Sequence, residues 1–210
     1  MTNPRDIRSA EGTTIHAGPT ASAQQSRIFV GLKIAPEIAR QLTLLARSIE
    51  HVPLRLVPAP DIHLTLVPPW NEASIPAAVE KLRQALDGFG RFSLTFERLC
   101  YGPEPRRPWL LWAECPPSAE IMALRNALLR AYGQADDRPF RPHLTLARIE
   151  RNGRAVAEEN PVDQMLWLTQ HMDSVELFRS PAPGESGYQV VASLPLEEGR
   201  SLTTLMTGRE

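Results

Sequence analysis

The tetrapeptide His-Leu-Thr-Leu occurs twice in this chain, at residues 63–66 and again at 143–146, 80 residues apart. Successive side chains of a β-strand point to opposite faces, so each copy places a histidine and a threonine on one face and two leucines on the other. The leucine face needs a hydrophobic core. So long an interval indicates two duplicated halves rather than a repeat array. We therefore expect two similar halves that present their polar pairs to a shared cleft.

The composition indicates one globular domain. The chain has 210 residues, of which 42% are hydrophobic and 22% charged, and this is enough for a well-packed core. No apolar run approaches the roughly 18 residues needed to cross a membrane, so we expect a cytoplasmic protein without a membrane partner. Cys100 and Cys115 are too few for a disulfide framework and are expected to be reduced thiols in the core.

The charges are nearly balanced, since 23 basic and 24 acidic residues give a net charge of −1. This balance argues against a protein that coats long nucleic acids by charge alone. It remains compatible with a small phosphorylated ligand or with a nucleic-acid terminus. No obligatory protein partner is evident, and we expect a monomer.

Hydrophobic periodicity predicts short strands interleaved with amphipathic helices. Residues 1–26 are expected to be a disordered leader, residues 27–196 the folded domain and residues 197–210 a flexible tail. Helices are predicted near Pro36, over 79–89, over 121–131 and, as a short one, over 161–170. Strands are predicted at 27–34, 54–57, 62–67, 92–101, 109–115, 143–149, 173–179 and 188–194.

The connections between these elements favour antiparallel strands in mixed α/β layers, rather than a helix bundle or a sandwich. The strands at 54–57 and 62–67 are predicted to form a hairpin, and Pro68-Pro69 is predicted to end the second of them.

The two polar pairs suit chemistry at phosphorus. Imidazole titrates near neutrality, so a neutral histidine can accept a proton while a protonated partner donates one. The hydroxyls of Thr65 and Thr145 can donate hydrogen bonds to phosphate oxygens. A lone histidine is usually structural, but the duplication of the motif favours function for His63 and His143. The other three histidines lack the pattern and receive no function.

Other chemistries have less support in the sequence. Zinc needs three or four ligands, and neither motif has a further Cys, Asp or Glu two or four residues beyond its histidine. The Gly-x-Ser-x-Gly elbow of serine hydrolases is absent, as are glycine-rich phosphate loops. No metal site and no cofactor are therefore predicted.

The chain resembles the two-histidine phosphoesterase superfamily, and within it the RNA 2′,3′-cyclic phosphodiesterase family, also called 2′-5′ RNA ligase. The resemblance covers roughly residues 27–194 and is carried above all by Phe-Arg-Pro-His-Leu-Thr-Leu-Ala-Arg at 140–148. Supporting segments are Arg-Ile-Phe-Val at 27–30, Pro-Ala-Pro-Asp-Ile at 58–62 and Leu-Trp-Ala at 111–113. One departure follows the first motif, where Val-Pro-Pro-Trp at 67–70 replaces a Lys-Phe-Leu-Gly-like run.

The resemblance implies a bilobal, pseudo-symmetric α+β fold, with two antiparallel sheets around a central cleft and helices on the outside. It implies hydrolysis of RNA 2′,3′-cyclic phosphate ends to 2′-phosphomonoesters, with reverse 2′-5′ ligation as a side activity and no metal or cofactor. By the same likeness, His63 is the proton donor to the departing 3′ oxygen and His143 is the proton acceptor. Thr65 and Thr145 would bind the phosphate.

Arg148 is also implied as a phosphate ligand. In a regular strand it would lie on the face opposite His143, so a bend or bulge is needed to bring it into the cleft. Arg27 and Arg141 are further candidates of the same kind, whereas Trp70, Tyr101 and Phe140 are expected in the core rather than against a base.

Two other functions remain open at this point. The first is a related enzyme that acts on small cyclic nucleotides or on an ADP-ribose cyclic phosphate, and the altered run at 67–70 motivates it. The second is a module that binds RNA ends without chemistry.

Overall fold

The computed structural model describes residues 25–49, 52–150, 152–182 and 184–198. Apart from residues 25, 26, 197 and 198, the predicted leader and tail lie outside these ranges. The strands in the described part are β1 Ser26–Lys33, β2 Leu54–Leu56, β3 His63–Glu72, β4 Phe92–Gly102, β5 Leu110–Glu114, β6 His143–Ile149, β7 Asp163–Met172, β8 Ser174–Arg179 and β9 Gln189–Pro195. The helices are α1 Pro36–Arg47, α2 Ile75–Ala85, α3 Ala119–Ala131 and α4 Gly153–Glu159, with one 3₁₀ turn at Ala59–Asp61.

The strands form one antiparallel sheet in two halves. Its order is β7-β4-β5-β6-β3-β1-β8-β9, and β2 adds to the edge of β6. The central strands β3 and β6 are joined through a single residue pair, Leu64 opposite Leu144. The predicted α+β class with antiparallel strands is therefore confirmed, and the two expected sheets are the two halves of this one sheet.

The two halves repeat the same local arrangement around that pair. Strand β1 lies beside β3 as β5 lies beside β6, and in both pairs the register shifts just after the motif threonine. At each shift two consecutive residues are buried, Leu66 with Val67 and Leu146 with Ala147. The duplicated sequence thus produces a duplicated β-bulge as well as a duplicated strand.

The motif leucines anchor the core. Leu64, Leu66, Leu144 and Leu146 are all fully buried, in one cluster with α1, α2 and α3. Helix α1 begins with Pro36 in its first turn, which needs no N–H partner there. The hydroxyl of Ser74 caps α2 and that of Ser118 caps α3, each by accepting a backbone N–H of its first turn. The helices therefore cover the leucine side of β3 and β6.

The predicted helix over 161–170 is wrong, because these residues belong to strand β7. β7 pairs with β4 from Phe92 opposite Met172 to Cys100 opposite Asp163, and this long ladder overrides the weak helical spacing. The helix of this region lies earlier in the chain, as α4, and the side chain of Asn152 caps it.

The predicted hairpin is also wrong. β2 pairs with β6 instead, and the 3₁₀ turn separates it from β3. Nor does Pro68-Pro69 end β3, which continues to Glu72. Proline removes a backbone N–H, and this is tolerated because both prolines lie at a register shift, where the pairing with β1 passes from Val67 opposite Val30 to Trp70 opposite Ile28.

Two further expectations concern the cysteines and the membrane. Cys100 and Cys115 are both free and buried, as predicted. Burial raises the pKa of the Cys115 thiol to about 12, so this thiol is protonated at neutral pH. Among the helices of the described residues, none has the length and hydropathy of a membrane span.

Candidate active site

The predicted polar residues meet where the two halves join. Because Leu64 lies opposite Leu144 in antiparallel strands, His63 falls beside Thr145 and Thr65 falls beside His143. All four side chains are half-buried or partly exposed, and they lie on the face opposite the buried leucines. We call this the site face. The fold therefore brings together the four residues that the duplicated motif singles out.

Both imidazoles are held in the same way. His63 Nδ1 lies 2.7 Å from the carbonyl oxygen of Asp61, and His143 Nδ1 lies 2.7 Å from that of Arg141. A carbonyl oxygen can only accept a hydrogen bond, so Nδ1 must be the protonated donor in each ring. This fixes the tautomer and leaves Nε2 of both rings to exchange protons with a ligand.

Burial is the main influence on both histidines, and it lowers the pKa of each below the ordinary value of 6.5. For His63, the carbonyl and the carboxylate of Asp61 oppose this shift, and the charge of His143 adds to it. For His143, the carbonyl of Arg141 and the carboxylate of Glu114 oppose the shift, whereas the Arg141 cation adds to it. His63 therefore has an anionic neighbour, Asp61, whereas His143 has both a cation, Arg141, and an anion, Glu114.

Aromatic rings surround His63. The imidazole lies 4.7 Å from the ring of Phe29, 5.4 Å from Phe178 and 5.0 Å from Tyr188, measured between centroids. The loop that carries Tyr188 is tied to this position, because the Tyr188 N–H donates to Asp61 Oδ1 at 2.9 Å. Asp61 therefore contacts the histidine through its carbonyl and the aromatic loop through its carboxylate.

The side chains around His143 differ from those around His63, because they are one indole and one guanidinium. Its ring lies 4.1 Å from that of Trp112, and the Arg141 guanidinium packs over the same indole at 4.9 Å. Arg141 also donates to Glu114 at 2.8 Å and to the carbonyl of Pro103 at 2.8 Å. Arg141, a sequence candidate for phosphate binding, is thus already engaged in contacts with Trp112, Glu114 and Pro103.

Arg148 lies on the site face because of the bulge after Thr145. The shift leaves Leu146 and Ala147 both in the core, so Arg148 comes to lie opposite Leu110. Leu110 packs with Trp112 and Cys100 in a small cluster separate from the main core. The Arg148 side chain is exposed and forms no ion pair with any described residue.

Comparison with known proteins identifies the family. The profile of the 2′-5′ RNA ligase superfamily matches residues 55–176, more than half of the chain. The chain belongs to this superfamily. The matched range includes both histidine motifs, and its members are two-histidine phosphoesterases.

The individual proteins that resemble this chain have low sequence identity to it. An RNA 2′,3′-cyclic phosphodiesterase of Archaeoglobus fulgidus is 25% identical over 138 residues, which are 63% of this chain and 77% of that protein. A crystal structure from Thermus thermophilus matches with a TM-score of 0.65 at 22% identity, over 82% of this chain and 98% of that chain. Escherichia coli LigT in apo form gives 0.62 at 23% identity, over 83% and 99%. These structures show that the fold is shared.

The other residues that the sequence suggested as ligand contacts do not join the two motif histidines. Arg27 pairs with Asn71, at the opposite end of β1 from His63. The three aromatic candidates pack where they were expected, against or within the core: Trp70, Tyr101 and Phe140. Among the remaining histidines, His171 of β7 contacts Ser93 of β4, and residues 16 and 51 lie outside the described ranges.

The residues that sequence reasoning missed are the walls of the site: Phe29, Asp61, Trp112, Phe178 and Tyr188. Phe29, Asp61 and Trp112 lie in segments that carry the family resemblance, and Asp61 also precedes the first motif histidine by two residues, but none of them was assigned a role in the site. The aromatic residues come from strands β1, β5 and β8 and from the loop before β9, and only the fold brings them to the imidazoles. Within the described part of the chain, no group of three or more His, Cys, Asp or Glu side chains is arranged to hold a metal ion.

Proposed function

We propose that the protein hydrolyses RNA 2′,3′-cyclic phosphate ends to 2′-phosphomonoesters. The observation that carries the proposal is the pair of equivalent imidazoles, each fixed through Nδ1 and each free at Nε2, on one face beside two threonines. The name of the Archaeoglobus relative supports this substrate, and LigT has been crystallised with 3′-AMP and with phosphate.

The two histidines serve opposite ends of one displacement. Nε2 of His143 takes a proton from water, whose oxygen forms a new bond to phosphorus. The bond from phosphorus to the 3′ oxygen breaks, and Nε2 of His63 donates a proton to that oxygen. The phosphate stays on the 2′ oxygen, so the product is a 2′-phosphomonoester with a free 3′ hydroxyl.

The charged neighbours support this division of roles. The Asp61 carboxylate favours the protonated form of His63, which a proton donor needs. At His143 the charge of Arg141 has a larger effect than that of Glu114, so the two charges together favour the neutral form that a proton acceptor needs. The same two groups would run in reverse for 2′-5′ ligation, but water at high concentration favours hydrolysis.

The remaining polar groups on the site face would hold the phosphate. Thr65 and Thr145 flank the centre of the site symmetrically, and their hydroxyls can donate to the two non-bridging oxygens. Arg148 adds a cation that is free of ion pairs with described residues. These donors would stabilise the negative charge that the phosphate carries through the transition state.

The direct test is turnover without metal. Purified protein is incubated with a 5′-labelled oligonucleotide ending in a 2′,3′-cyclic phosphate, in excess EDTA. We expect conversion to the 2′-phosphate product at the rate seen without the chelator, because imidazoles and hydroxyls supply all the groups the reaction needs. Binding without product would instead support an RNA-end-binding module. Loss of activity in EDTA alone would overturn the metal-independent mechanism.

The pH dependence follows from the two lowered pKa values. Activity rises as His143 loses its proton and falls as His63 loses its proton. Because burial holds both pKa values below 6.5, the maximum of kcat/KM is expected on the acid side of pH 6.5. Asp61→Asn removes an anion that raises the pKa of His63, so it should move the falling limb to lower pH. A pH–rate profile with its maximum above neutrality would contradict this prediction.

A further inference from the structure

The two ends of the site face differ in charge although the backbone is pseudo-symmetric. At one end the beginning of β3 meets the end of β6, and at the other the beginning of β6 meets the end of β3. Lys33 lies opposite His63 at the first end, and Glu114 lies opposite His143 at the second. Equivalent positions therefore carry opposite charges. We call these the Lys33 end and the Glu114 end.

The Lys33 end carries three basic side chains. The first is Lys33 and the second is Arg148. Because the bulge adds one residue between Thr145 and Arg148, the two are separated by about two regular strand residues, roughly 7 Å along β6. Arg55 of β2 lies directly opposite Arg148, about 5 Å away between Cα atoms. Its neighbours Leu54 and Leu56 pack against the core, so the exposed Arg55 side chain extends on the site face.

Two arginines directly opposite each other repel, and such a pair destabilises a sheet unless an anion lies between or beside them. Within the described ranges one carboxylate is close, that of Glu150 at 3.5 Å from Arg55 Nε. Neither Lys33 nor Arg148 forms an ion pair with any residue of those ranges. The two other carboxylates near this end accept backbone N–H groups, Asp61 that of Tyr188 and Glu176 that of Lys33. The Lys33 end thus has an excess of basic side chains without an ion-pair partner, and it lies next to the proposed phosphate site.

The Glu114 end has no such excess among the described residues. Arg141 donates to Glu114 at 2.8 Å, and Arg98 is paired with Asp163 at 2.6 Å and with Glu114 at 3.6 Å. The cavity at this end, about 340 Å³, is lined by Glu97 and Glu114 as well as by these arginines. Five residues after the motif histidine, where β6 has Arg148, β3 has Pro68. A phosphate chain leaving the site by this end would meet carboxylates.

We infer that the RNA chain leaves the catalytic site by the Lys33 end, with its first phosphodiester bound by Arg55 and Lys33. The inference rests on the proposed function and names its substrate class, an oligonucleotide rather than a mononucleotide. It also places the terminal ribose on the side of His63. The departing 3′ oxygen then lies near His63, and water approaches from the side of His143, as the electrostatic division of roles requires.

The test compares substrate lengths. We measure kcat/KM for a 2′,3′-cyclic mononucleotide and for a tetranucleotide with the same cyclic end. In Arg55→Gln and in Lys33→Gln, the ratio of the tetranucleotide value to the mononucleotide value should fall roughly tenfold, since each loses one charge-assisted contact to the chain. Raising the NaCl concentration should lower the wild-type ratio as well.

The matched control is Arg40→Gln. Arg40 lies on α1, is as exposed as Arg55, and likewise pairs with a glutamate, Glu37 at 3.1 Å. Its substitution should leave the ratio unchanged. An unchanged ratio in both Arg55→Gln and Lys33→Gln would overturn the inference while the proposed function stands.

Failure of the proposed function is recognised separately, by a wild-type protein that turns over neither substrate. The same variants are then compared by their Kd for a tetranucleotide ending in a 2′-phosphate, which needs no catalysis. A higher Kd in Arg55→Gln than in Arg40→Gln supports the exit of the RNA chain by the Lys33 end, and equal Kd values overturn it.

Discussion

Alanine at either His63 or His143 is expected to lower kcat/KM for the cyclic phosphate substrate by about 10²–10⁴-fold. Each substitution removes the only nitrogen that can serve its end of the displacement, because the Nδ1 of each ring is committed to a backbone carbonyl. The two groups act in one step, so the double variant should be little worse than the more damaged single variant. Steady-state kinetics on the oligonucleotide substrate measures both effects.

The pH profiles of these variants separate catalysis from damage to the fold. His63→Ala should lose the falling limb of kcat/KM, and His143→Ala should lose the rising limb. His171→Ala is the matched control, because His171 of β7 contacts Ser93 of β4 and takes no part in the site. Full turnover by either motif variant would exclude paired-histidine chemistry, and equal loss in His171→Ala would point to instability.

The duplicated motif made the centre of this fold predictable. Alternation along two short strands was enough to place His63 and Thr65 on one face and the paired leucines in the core, because a buried leucine face fixes the register of a strand. The duplication also predicted that the two halves would be similar and would share one core. What the motif could not reveal was the single contact, Leu64 opposite Leu144, through which the halves join.

The errors fall where distant pairing decides local structure. The stretch from 161 to 170 has weak helical spacing, yet it forms β7 because β4 offers it a full ladder of backbone partners. Pro68-Pro69 is typical of a strand end, yet β3 passes through it because the prolines fit a register shift opposite β1 and the pairing resumes at Trp70. In both cases the deciding partner is far away in sequence, so local pattern carries no information about it.

The walls of the site were unpredictable for the same reason. Phe29, Phe178 and Tyr188 come from three separate segments and meet only at the His63 ring. They exclude water from the imidazole, and this burial is the main cause of its lowered pKa. The duplicated backbone thus supplies two equivalent histidines, and residues outside the motifs give them different environments. Asymmetry of this kind is what a displacement with one donor and one acceptor needs.

Removing the hydroxyl of Thr65 or of Thr145 is expected to lower kcat by about 10²–10³-fold, the usual effect of losing one donor to a charged transition state. Valine has nearly the same shape, and both positions are half-buried on the site face, so the strands should be preserved. KM should change much less than kcat, because the hydroxyl stabilises the transition state more than the bound substrate.

The threonine variants can be judged by the direction in which the two kinetic constants move. Serine at either position keeps the hydroxyl and should retain most of the rate. A valine variant that raises KM and leaves kcat intact would show that the hydroxyl binds substrate without favouring the transition state. Valine at one position and serine at the other should match the valine single variant, because serine keeps its hydroxyl and only one of the two proposed phosphate contacts is lost.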